Sequence, residues 1–306
     1  MSNNLHIPVL LDESIDSLNL KDDGIYIDCT FGRGGHTFKI ASMISSKGKI
    51  IAFDRDKEAI DFFNKNNKFK NCSIIKSNFS EIVKKLNEIG IEKVDGIIYD
   101  LGISSPQIDN NERGFSYLSN NIVDMRMDRQ QEKTANFILK NYKYDELFQM
   151  FRNYANDKNP IRLCNRIIQF RGNNLNNDFF TNDLVKIIRE SIDRKILYSK
   201  KYPEKKYFQA IRMEVNNEVN EIIMSLNSAT SILNKNGRIV VITFNSLEDK
   251  IVKDIFAEKS KNLFPKEVPI KDNLKNFNVI NKKKIRDDVD SNSRSKSARI
   301  RCIERC

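Results

Sequence analysis

The residues best suited to chemistry lie in a glycine-rich segment, Gly32–His36, which closely follows an apolar run ending in Asp28. Glycines after a strand let a ligand approach the backbone, and the next helix begins with free N–H groups. A second apolar run ends in Asp54, where an acid can accept hydrogen bonds from both hydroxyls of a ribose. Together these features predict a cofactor that contains a nucleoside, either a nicotinamide dinucleotide or S-adenosylmethionine. A tight turn that binds nothing is the alternative.

The glycine spacing helps to separate the two cofactors. The dinucleotide fingerprint G-x-G-x-x-G would place a glycine at position 37, and Thr37 stands there instead. This departure argues against a nicotinamide-dependent dehydrogenase, which is the first rival interpretation.

A third segment, Asp100–Gln107, follows another apolar run and contains an acid and a Ser-Pro turn. A methyltransferase acting on an exocyclic amine needs such acceptors, because the amine lone pair is delocalised into the ring. The N–H groups must be held so that nitrogen faces the methyl donor. We therefore predict that Asp100, Ser105 and Pro106 are catalytic. A capped turn, with Pro106 ending the strand, is the alternative.

The cysteines indicate neither a disulfide framework nor a metal site, and we expect no metal. They are odd in number and contain no C-x-x-C pair. Covalent activation of a ring carbon would need a cysteine nucleophile, and none lies near Asp100 in the sequence. The five are Cys29, Cys72, Cys164, Cys302 and Cys306.

Composition indicates a globular chain of one or two domains: 306 residues, 40% of them hydrophobic. No apolar run is long enough for a membrane span, and no signal peptide is recognisable, so we expect a cytoplasmic protein. The net charge is +11. Residues 266–306 alone carry an excess of six positive charges. This uneven positive charge favours a polyanion partner, most often nucleic acid. A lysine-rich composition bias, which would give the same net charge, is the alternative.

The first part of the chain alternates short apolar runs with amphipathic stretches, which predicts a parallel sheet with helical crossovers. The predicted strands are Ile25–Asp28, Lys49–Asp54, Cys72–Lys76 and Val94–Tyr99. The predicted helices are His36–Ile44, Lys57–Lys65 and Ile82–Ile89.

The pattern then becomes purely helical, which predicts a helical domain inserted into the sheet domain. We place the domains at residues 1–108, 109–205 and 206–306. After a loop over Pro106–Arg129, the predicted helices of the insert are Ala135–Leu139, Tyr144–Tyr154, Ile161–Arg171 and Asp183–Ile192. The later elements are a helix over Phe208–Leu233, a strand over Arg238–Phe244, a helix over Leu247–Lys259 and an edge strand over Ser297–Ile303.

Taken together, the motifs resemble one family, the bacterial small-subunit (16S) ribosomal RNA cytosine-N4 methyltransferases, methyltransferase H. The resemblance covers essentially the whole chain, in order. It is carried by His6–Leu11, Thr30–His36, Asp54–Asp56, Asp100–Gln107, Arg113–Ser116, Asp124–Asp128, Phe208–Arg212, Ser246–Asp249 and Arg301–Arg305.

The resemblance implies an α/β fold: a Rossmann-like class I S-adenosylmethionine methyltransferase sheet with an inserted all-helical domain that holds the RNA. It implies that S-adenosylmethionine is the cofactor. The implied substrate is the N4 amine of a cytidine in the decoding region of small-subunit ribosomal RNA, either as naked RNA or within the small ribosomal subunit.

By matching motif, the implied cofactor contacts are Gly34, Gly35, His36, Asp54, Phe79, Asp100 and Gln107. A core role is the alternative for Phe79. The predicted RNA contacts are Arg113, Arg162, Arg166, Lys206 and Arg212. For Arg162 and Arg166, which are predicted because the insert is basic, a solvated helix face is the alternative.

Three departures from the family pattern stand out. Asn245 replaces the usual histidine before Ser-Leu-Glu-Asp, so an essential imidazole base is not expected. Lys206 replaces an arginine, and Tyr154–Asp157 replaces Tyr-Gly-Glu-Glu, which bears on details of RNA contact. Asn245 also keeps open a second rival interpretation, a catalytically silent RNA-binding assembly factor.

Overall fold

The structure is a computed structural model that describes residues 8–173, 178–199, 201–262, 275–280 and 297–306. The chain forms two compact units. The sheet unit comprises Met1–Gly102 and Val219–Cys306, and the helical unit comprises Ile103–Glu218. The helical unit thus extends beyond residues 109–205, where the sequence placed the insert.

The sheet unit contains a seven-stranded sheet in the order β3-β2-β1-β4-β5-β7-β6. Strands β1 to β5 pair in parallel, and β7 runs antiparallel to both β5 and β6. The predicted α/β, Rossmann-like sheet is confirmed. Its strand order reverses between β1 and β4, which is where ligands bind in open sheets of this kind. The strands are β1 (Ile25–Asp28), β2 (Lys49–Asp54), β3 (Cys72–Lys76), β4 (Val94–Asp100), β5 (Leu233–Thr243), β6 (Phe277–Val279) and β7 (Arg299–Arg305).

Helices cover both faces of this sheet, and side chains alternate along each strand to fill two cores. Along β4, Ile97 and Tyr99 belong to one core with Leu86 and Leu226, whereas Ile98 belongs to the other with Ile40. Burial on both faces explains why the strands are continuously apolar in sequence. The helices are α1 (Leu11–Leu18), α2 (Gly35–Met43), α3 (Lys57–Asn66), α4 (Ile82–Glu88), α12 (Glu218–Ile232) and α13 (Ser246–Lys259).

The helical unit packs around a single apolar core that includes Leu139, Phe151, Ile188 and Ile211. The loop predicted over Pro106–Arg129 contains a short helix and a 3-10 turn, Asn111–Arg113. The helices of the helical unit are α5 (Ser105–Asp109), α6 (Ala135–Asn141), α7 (Tyr144–Tyr154), α8 (Ile161–Asn173), α9 (Thr181–Ser191), α10 (Arg194–Ser199) and α11 (Lys205–Val215). Across both units, the described helices include none with the length and apolarity that crossing a bilayer requires.

Two predicted elements were wrong. The single helix over Phe208–Leu233 is two helices, because Asn217 has a left-handed backbone (φ 52°) and ends the run of helical residues. The side chain of Asn216 stabilises the break by accepting from Met127 N at 2.8 Å and donating to Met125 O at 2.7 Å. Strand β7 is not an edge strand, because the short β6 pairs with its outer side.

Candidate functional site

The glycine loop after β1 is a backbone cradle that only glycine can form. Gly34 has φ +77°, and a Cβ there would lie 2.6 Å from the Phe31 ring. A Cβ on Gly35 would lie 2.0 Å from Pro8 Cγ. Helix α2 begins at Gly35 with Gly34 as its N-cap, and glycine has no side chain with which to cap it. The first turn can therefore offer N–H groups to a ligand.

Asp28 anchors this loop, a role that the sequence analysis did not assign. Its side chain is 1% exposed and accepts from Thr30 N at 3.0 Å and from Thr37 Oγ1 at 2.6 Å. Burial raises the pKa of Asp28. Thr37, at the position of the missing third glycine, therefore ties α2 to the end of β1. The signal in the sequence was an acid ending a strand with a threonine in the helix that follows.

Asp54 is fixed at the end of β2 by two backbone donors. Its Oδ2 accepts from Gly32 N and its Oδ1 from Asp56 N, each at 2.9 Å. Burial raises the pKa of Asp54 to about 6. Each carboxylate oxygen can accept a further hydrogen bond, so the fixed group can still receive the two hydroxyls of a ribose.

Phe79 follows β3, is half-buried and packs against one core of the sheet unit. Ser225 Oγ donates to the Phe79 carbonyl oxygen at 2.8 Å and lies 2.7 Å from Tyr99 Oη. The Tyr99 ring meets Phe79 edge-on, with 5.7 Å between ring centroids. Next to it, Asn78 Nδ2 donates to Glu221 Oε1 at 3.4 Å. This buried network holds Phe79 from both its backbone and its ring.

Asp100 is the last residue of β4, and one of its carboxylate oxygens is not satisfied by a hydrogen bond within the described residues. Its backbone N donates to Thr30 Oγ1 at 2.6 Å, and its buried Oδ1 has no hydrogen-bond partner in the described part of the chain. Burial, with the charges of Asp28 and Glu248, raises the pKa of Asp100 to about 8. An unpartnered, partly desolvated carboxyl is suited to a ligand that donates hydrogen bonds or carries positive charge.

His36 lies beside this acid, with Nδ1 3.9 Å from Asp100 Oδ2. The imidazole is 3% exposed, and burial lowers the pKa of His36 to about 4. It is therefore neutral near pH 7 and does not form an ion pair with Asp100. Its Nε2 is buried and has no partner among the described residues.

The segment Asn245–Asp249 begins α13 and organises the end of β5. Asn245 Oδ1 accepts from Leu247 N and from Glu248 N, both at 3.0 Å, and so caps the helix. The fully buried Glu248 accepts from Phe244 N at 2.9 Å. The departure at Asn245 thus places a good capping residue where the family usually has histidine.

Asp249 connects the same helix to β7. It accepts from Arg301 Nε at 2.9 Å and also pairs with Arg299. Arg305 donates to the Leu233 carbonyl oxygen at 2.7 Å. These three arginines of the basic tail therefore hold the sheet unit together, while residues 281–296 lie outside the described residues.

The other three residues of the predicted site belong to the helical unit. Ser105, Pro106 and Gln107 form the first turn of α5. Gln107 is 7% exposed, and its Oε1 accepts from Ser104 N at 3.1 Å. The structure thus gathers Gly34, Gly35, His36, Asp54, Phe79 and Asp100 in the sheet unit, with the remaining three in the first helix of the helical unit.

Two of the five predicted RNA contacts are internal, which corrects the prediction for them. Arg113 is 1% exposed and donates to the carbonyl oxygens of Arg126 and Met127 at 2.9 and 3.0 Å. Arg212 makes a bidentate pair with Glu218, with both N···O distances at 2.7 Å. Both guanidinium groups hold the helical unit together instead of facing a polyanion.

The other three are more exposed, but each has an acidic neighbour. Arg162 NH1 lies 3.5 Å from Asp193, and Arg166 NH1 lies 2.6 Å from Glu190. The ammonium group of Lys206 is 3.8 Å from Asp157.

The described residues contain no cluster of three or more His, Cys, Asp or Glu side chains that could hold a metal ion. Cys29, Cys72, Cys164 and Cys302 are buried, Cys306 is exposed, and all five are free thiols. Burial raises the pKa of Cys29, which makes it a poor nucleophile.

The carboxyl edge fits S-adenosylmethionine on its own chemistry. It combines a glycine cradle, a fixed acid with open acceptor positions at Asp54, a held aromatic ring at Phe79 and the unpartnered oxygen of Asp100. The excess of carboxylates suits a cationic cofactor, because opposite charge offsets the cost of burying them.

Comparison with known proteins gives consistent matches over the full length. The model of the MraW methylase family matches residues 3–306. "Ribosomal RNA small subunit methyltransferase H" of Malacoplasma penetrans is 43% identical over 309 residues, covering 100% of this chain and 98% of that protein. The protein of the same name from Ureaplasma parvum is 44% identical over 310 residues, covering 100% and 99%. A solved methyltransferase from Streptococcus mutans in complex with SAH is 13% identical, with a TM-score of 0.45 and coverage of 98% and 100%.

Proposed function

Because this chain belongs to the MraW methylase family, we propose that it methylates small-subunit ribosomal RNA at the N4 amine of a cytidine in the decoding region. The observation that carries the proposal is Asp100, a raised-pKa acid with an unpartnered oxygen at the carboxyl edge of the sheet. S-adenosylmethionine supplies an electrophilic methyl group when it is bound.

The residues of the sheet unit have separate tasks in this proposal. Gly34 and Gly35 let the backbone approach the cofactor, and Asp54 accepts from its ribose hydroxyls. Phe79 lies against the adenine, with Ser225 and Tyr99 keeping it in place. His36 is neutral, so it contributes its backbone N–H at the start of α2.

Asp100 orients the reacting amine and receives its proton. The N4 lone pair is weakly nucleophilic, so the amine must be held with its N–H groups bonded to acceptors. We assign one such acceptor to the Asp100 carboxylate, while Ser105 and Pro106, in the first turn of α5, stay predicted catalytic residues. The methylated nitrogen would carry an extra proton, which an ionised Asp100 would accept and later release to water. Burial raises the pKa of Asp100 to about 8, so the carboxyl is mostly protonated near neutral pH in the free protein, and the positive charge of a bound cofactor would favour its ionised form.

The helical unit binds the RNA in this proposal, and the substrate is RNA within the small ribosomal subunit. Arg162 and Arg166 lie on one side of α8, four residues apart, and their acidic neighbours leave both guanidinium groups partly exposed. Lys206 adds a third cation at the start of α11. Gln107 stays a predicted cofactor contact.

The rival dehydrogenase interpretation meets a structural obstacle at Thr37. Its hydroxyl is committed to the buried Asp28, at a position where a dinucleotide site uses glycine for close helix packing. A thermal melt with S-adenosylmethionine or with NAD separates the two, because only the bound cofactor raises the melting temperature.

The proposed function is tested by incubating small ribosomal subunits that lack the modification with methyl-labelled S-adenosylmethionine. After digestion to nucleosides, label should run with N4-methylcytidine. The Asp100→Asn variant is the control for activity from contaminating enzymes. Label on a ring carbon or on another base would contradict the proposal, and no label on any RNA would favour the silent assembly factor.

A further inference from the structure

Basic and aromatic side chains alternate along the segment that joins α9 to α11. Helix α10 begins with Arg194 and Lys195 and carries Tyr198, and α11 begins at Lys205. We define the basic–aromatic strip by six residues of this segment: Arg194, Lys195, Tyr198, Lys201, Tyr202 and Lys205.

Tyr198 is the most exposed large hydrophobic side chain in the described part of the protein, at 84%. Arg194 and Lys195 precede it by four and three residues, which places them on the same side of the helix. The ring is thus open to solvent and flanked by two positive charges. An exposed aromatic face beside cations is the arrangement that stacks on nucleic acid bases.

Tyr202 forms a second aromatic position, and its ring is held in place. It packs on Tyr117 with 5.3 Å between ring centroids, and the Lys201 ammonium lies 5.3 Å from its centroid. At 36% exposure the ring still reaches solvent. A ring that is already fixed loses little conformational freedom when a base stacks on it.

The cations of the strip differ from three other cations of the helical unit. Arg162, Arg166 and Arg189 each lie within 4 Å of a carboxylate. By contrast, Arg194, Lys195, Lys201 and Lys205 have no acidic partner within that distance in the ranges that the structure describes. A cation without a paired acid can contact a phosphate without first losing an ion pair.

We propose that the basic–aromatic strip binds single-stranded RNA, with Tyr198 and Tyr202 stacking on unpaired bases and the four cations contacting phosphates. Unpaired rather than duplex RNA is the ligand, because bases inside a helix have no free faces for stacking. The proposal deepens the proposed function, since it rests on an RNA substrate and says which part of the helical unit holds it.

The test measures binding of a fluorescein-labelled, 12-nucleotide single-stranded RNA of mixed sequence to the full chain by fluorescence anisotropy. Tyr198→Ala should weaken binding by about 5- to 100-fold, and Tyr198→Phe should bind as the parent does, because the ring is what stacks. The double variant Lys195→Ala/Lys201→Ala should make the slope of log affinity against log salt shallower by about 1.4. Lys57→Ala/Lys84→Ala, which removes two exposed lysines of the sheet unit, is the matched control and should have the smaller effect.

Three results would overturn the proposal: unchanged affinity in Tyr198→Ala, a larger loss in the lysine control of the sheet unit, or tighter binding of a duplex of the same length. If strip variants kept their affinity for the single strand yet lost methylation of small subunits, the strip would contact a ribosomal protein instead. Loss of RNA affinity in an enzyme that methylates no ribosomal RNA would refute the proposed function and leave the strip assignment intact.

Discussion

The carboxyl edge of the sheet unit and the surface of the helical unit hold their charges in opposite ways. At the edge, acids are desolvated and shifted in pKa: two backbone donors fix the carboxylate of Asp54, and Asp100 keeps a buried oxygen without a partner among the described residues. On the helical unit, the cations of the basic–aromatic strip are exposed. The buried acids of the carboxyl edge suit a ligand that they contact directly through hydrogen bonds. The exposed cations of the strip suit a solvated polyanion, and such binding weakens as the salt concentration rises.

Removing the acceptor at the reacting end of the edge should have the largest effect. Asp100→Asn keeps the size of the side chain but cannot take a proton, so we expect methyl transfer to fall by about 10²- to 10⁴-fold. Single-turnover assays on unmodified small subunits measure this. Asp12→Asn, which changes an acid with a 79% exposed side chain on α1, is the matched control and should be unaffected. Equal losses in both variants would mean that charge alone matters.

Asp54 should matter for cofactor binding rather than for RNA binding. Asp54→Ala leaves two ribose hydroxyls without acceptors and removes the partner of Gly32 N, which costs about 1–3 kcal/mol of cofactor binding. Calorimetry with S-adenosylmethionine measures the loss, and anisotropy with the single-stranded RNA should show none. Unchanged cofactor affinity would remove Asp54 from the site.

The carboxyl edge of the sheet unit and the surface of the helical unit also differ in how far the sequence could predict them. Strand ends were visible as apolar runs closed by Asp28, Asp54 and Asp100, so the edge followed from the parallel-sheet pattern. The helical unit was predicted as helices, but a residue type does not reveal its exposure. Arg113 and Arg212 were therefore assigned to RNA although they are buried.

Other features depended on contacts between residues far apart in the sequence. The break at Asn216 depends on two bonds to the segment around Met125, and β7 is interior only because β6 covers it. No local pattern contains either contact. The capping role of Asn245, by contrast, is local and could have been predicted from its position before α13.

Adding one methyl group to a glycine should lower the free energy of unfolding in the glycine cradle but not in the helical unit. Gly35→Ala would place Cβ 2.0 Å from Pro8, so we expect a loss of about 1–3 kcal/mol in the free energy of unfolding. Gly172→Ala, in α8, meets no atom within 4 Å and should stabilise by about 0.5–1 kcal/mol. Urea denaturation monitored by circular dichroism compares them. A Gly35→Ala variant as stable as the parent would contradict the packing against Pro8.

The raised pKa of Asp100 predicts a pH dependence confined to the edge. The folded protein holds this proton up to about pH 8, whereas the unfolded chain releases it near pH 4, so unfolding becomes easier as pH rises between these values. Asp100→Asn lacks this titration. The free energy of unfolding of the parent relative to Asp100→Asn should therefore fall from pH 5 to pH 9, as urea midpoints would show. A constant difference would mean that Asp100 ionises normally.

The smallest effect should come from removing all five thiols. Direct transfer to nitrogen needs no covalent adduct with the ring, and Cys29, the cysteine in the cofactor turn, is buried with a raised pKa. A variant with every cysteine replaced by Ala or Ser should keep methyl transfer within about tenfold. Its stability will be lower, because smaller side chains at buried positions such as Cys164 leave cavities. Assays should therefore be run well below its melting temperature, with circular dichroism to establish that it is folded. RNA containing 5-fluorocytidine should likewise leave no covalent complex with the parent enzyme. A folded but inactive cysteine-free enzyme, or a trapped adduct, would contradict direct transfer to nitrogen and would indicate covalent attack on a ring carbon. The proposed role of Asp100 as acceptor for the N4 amine would then be wrong.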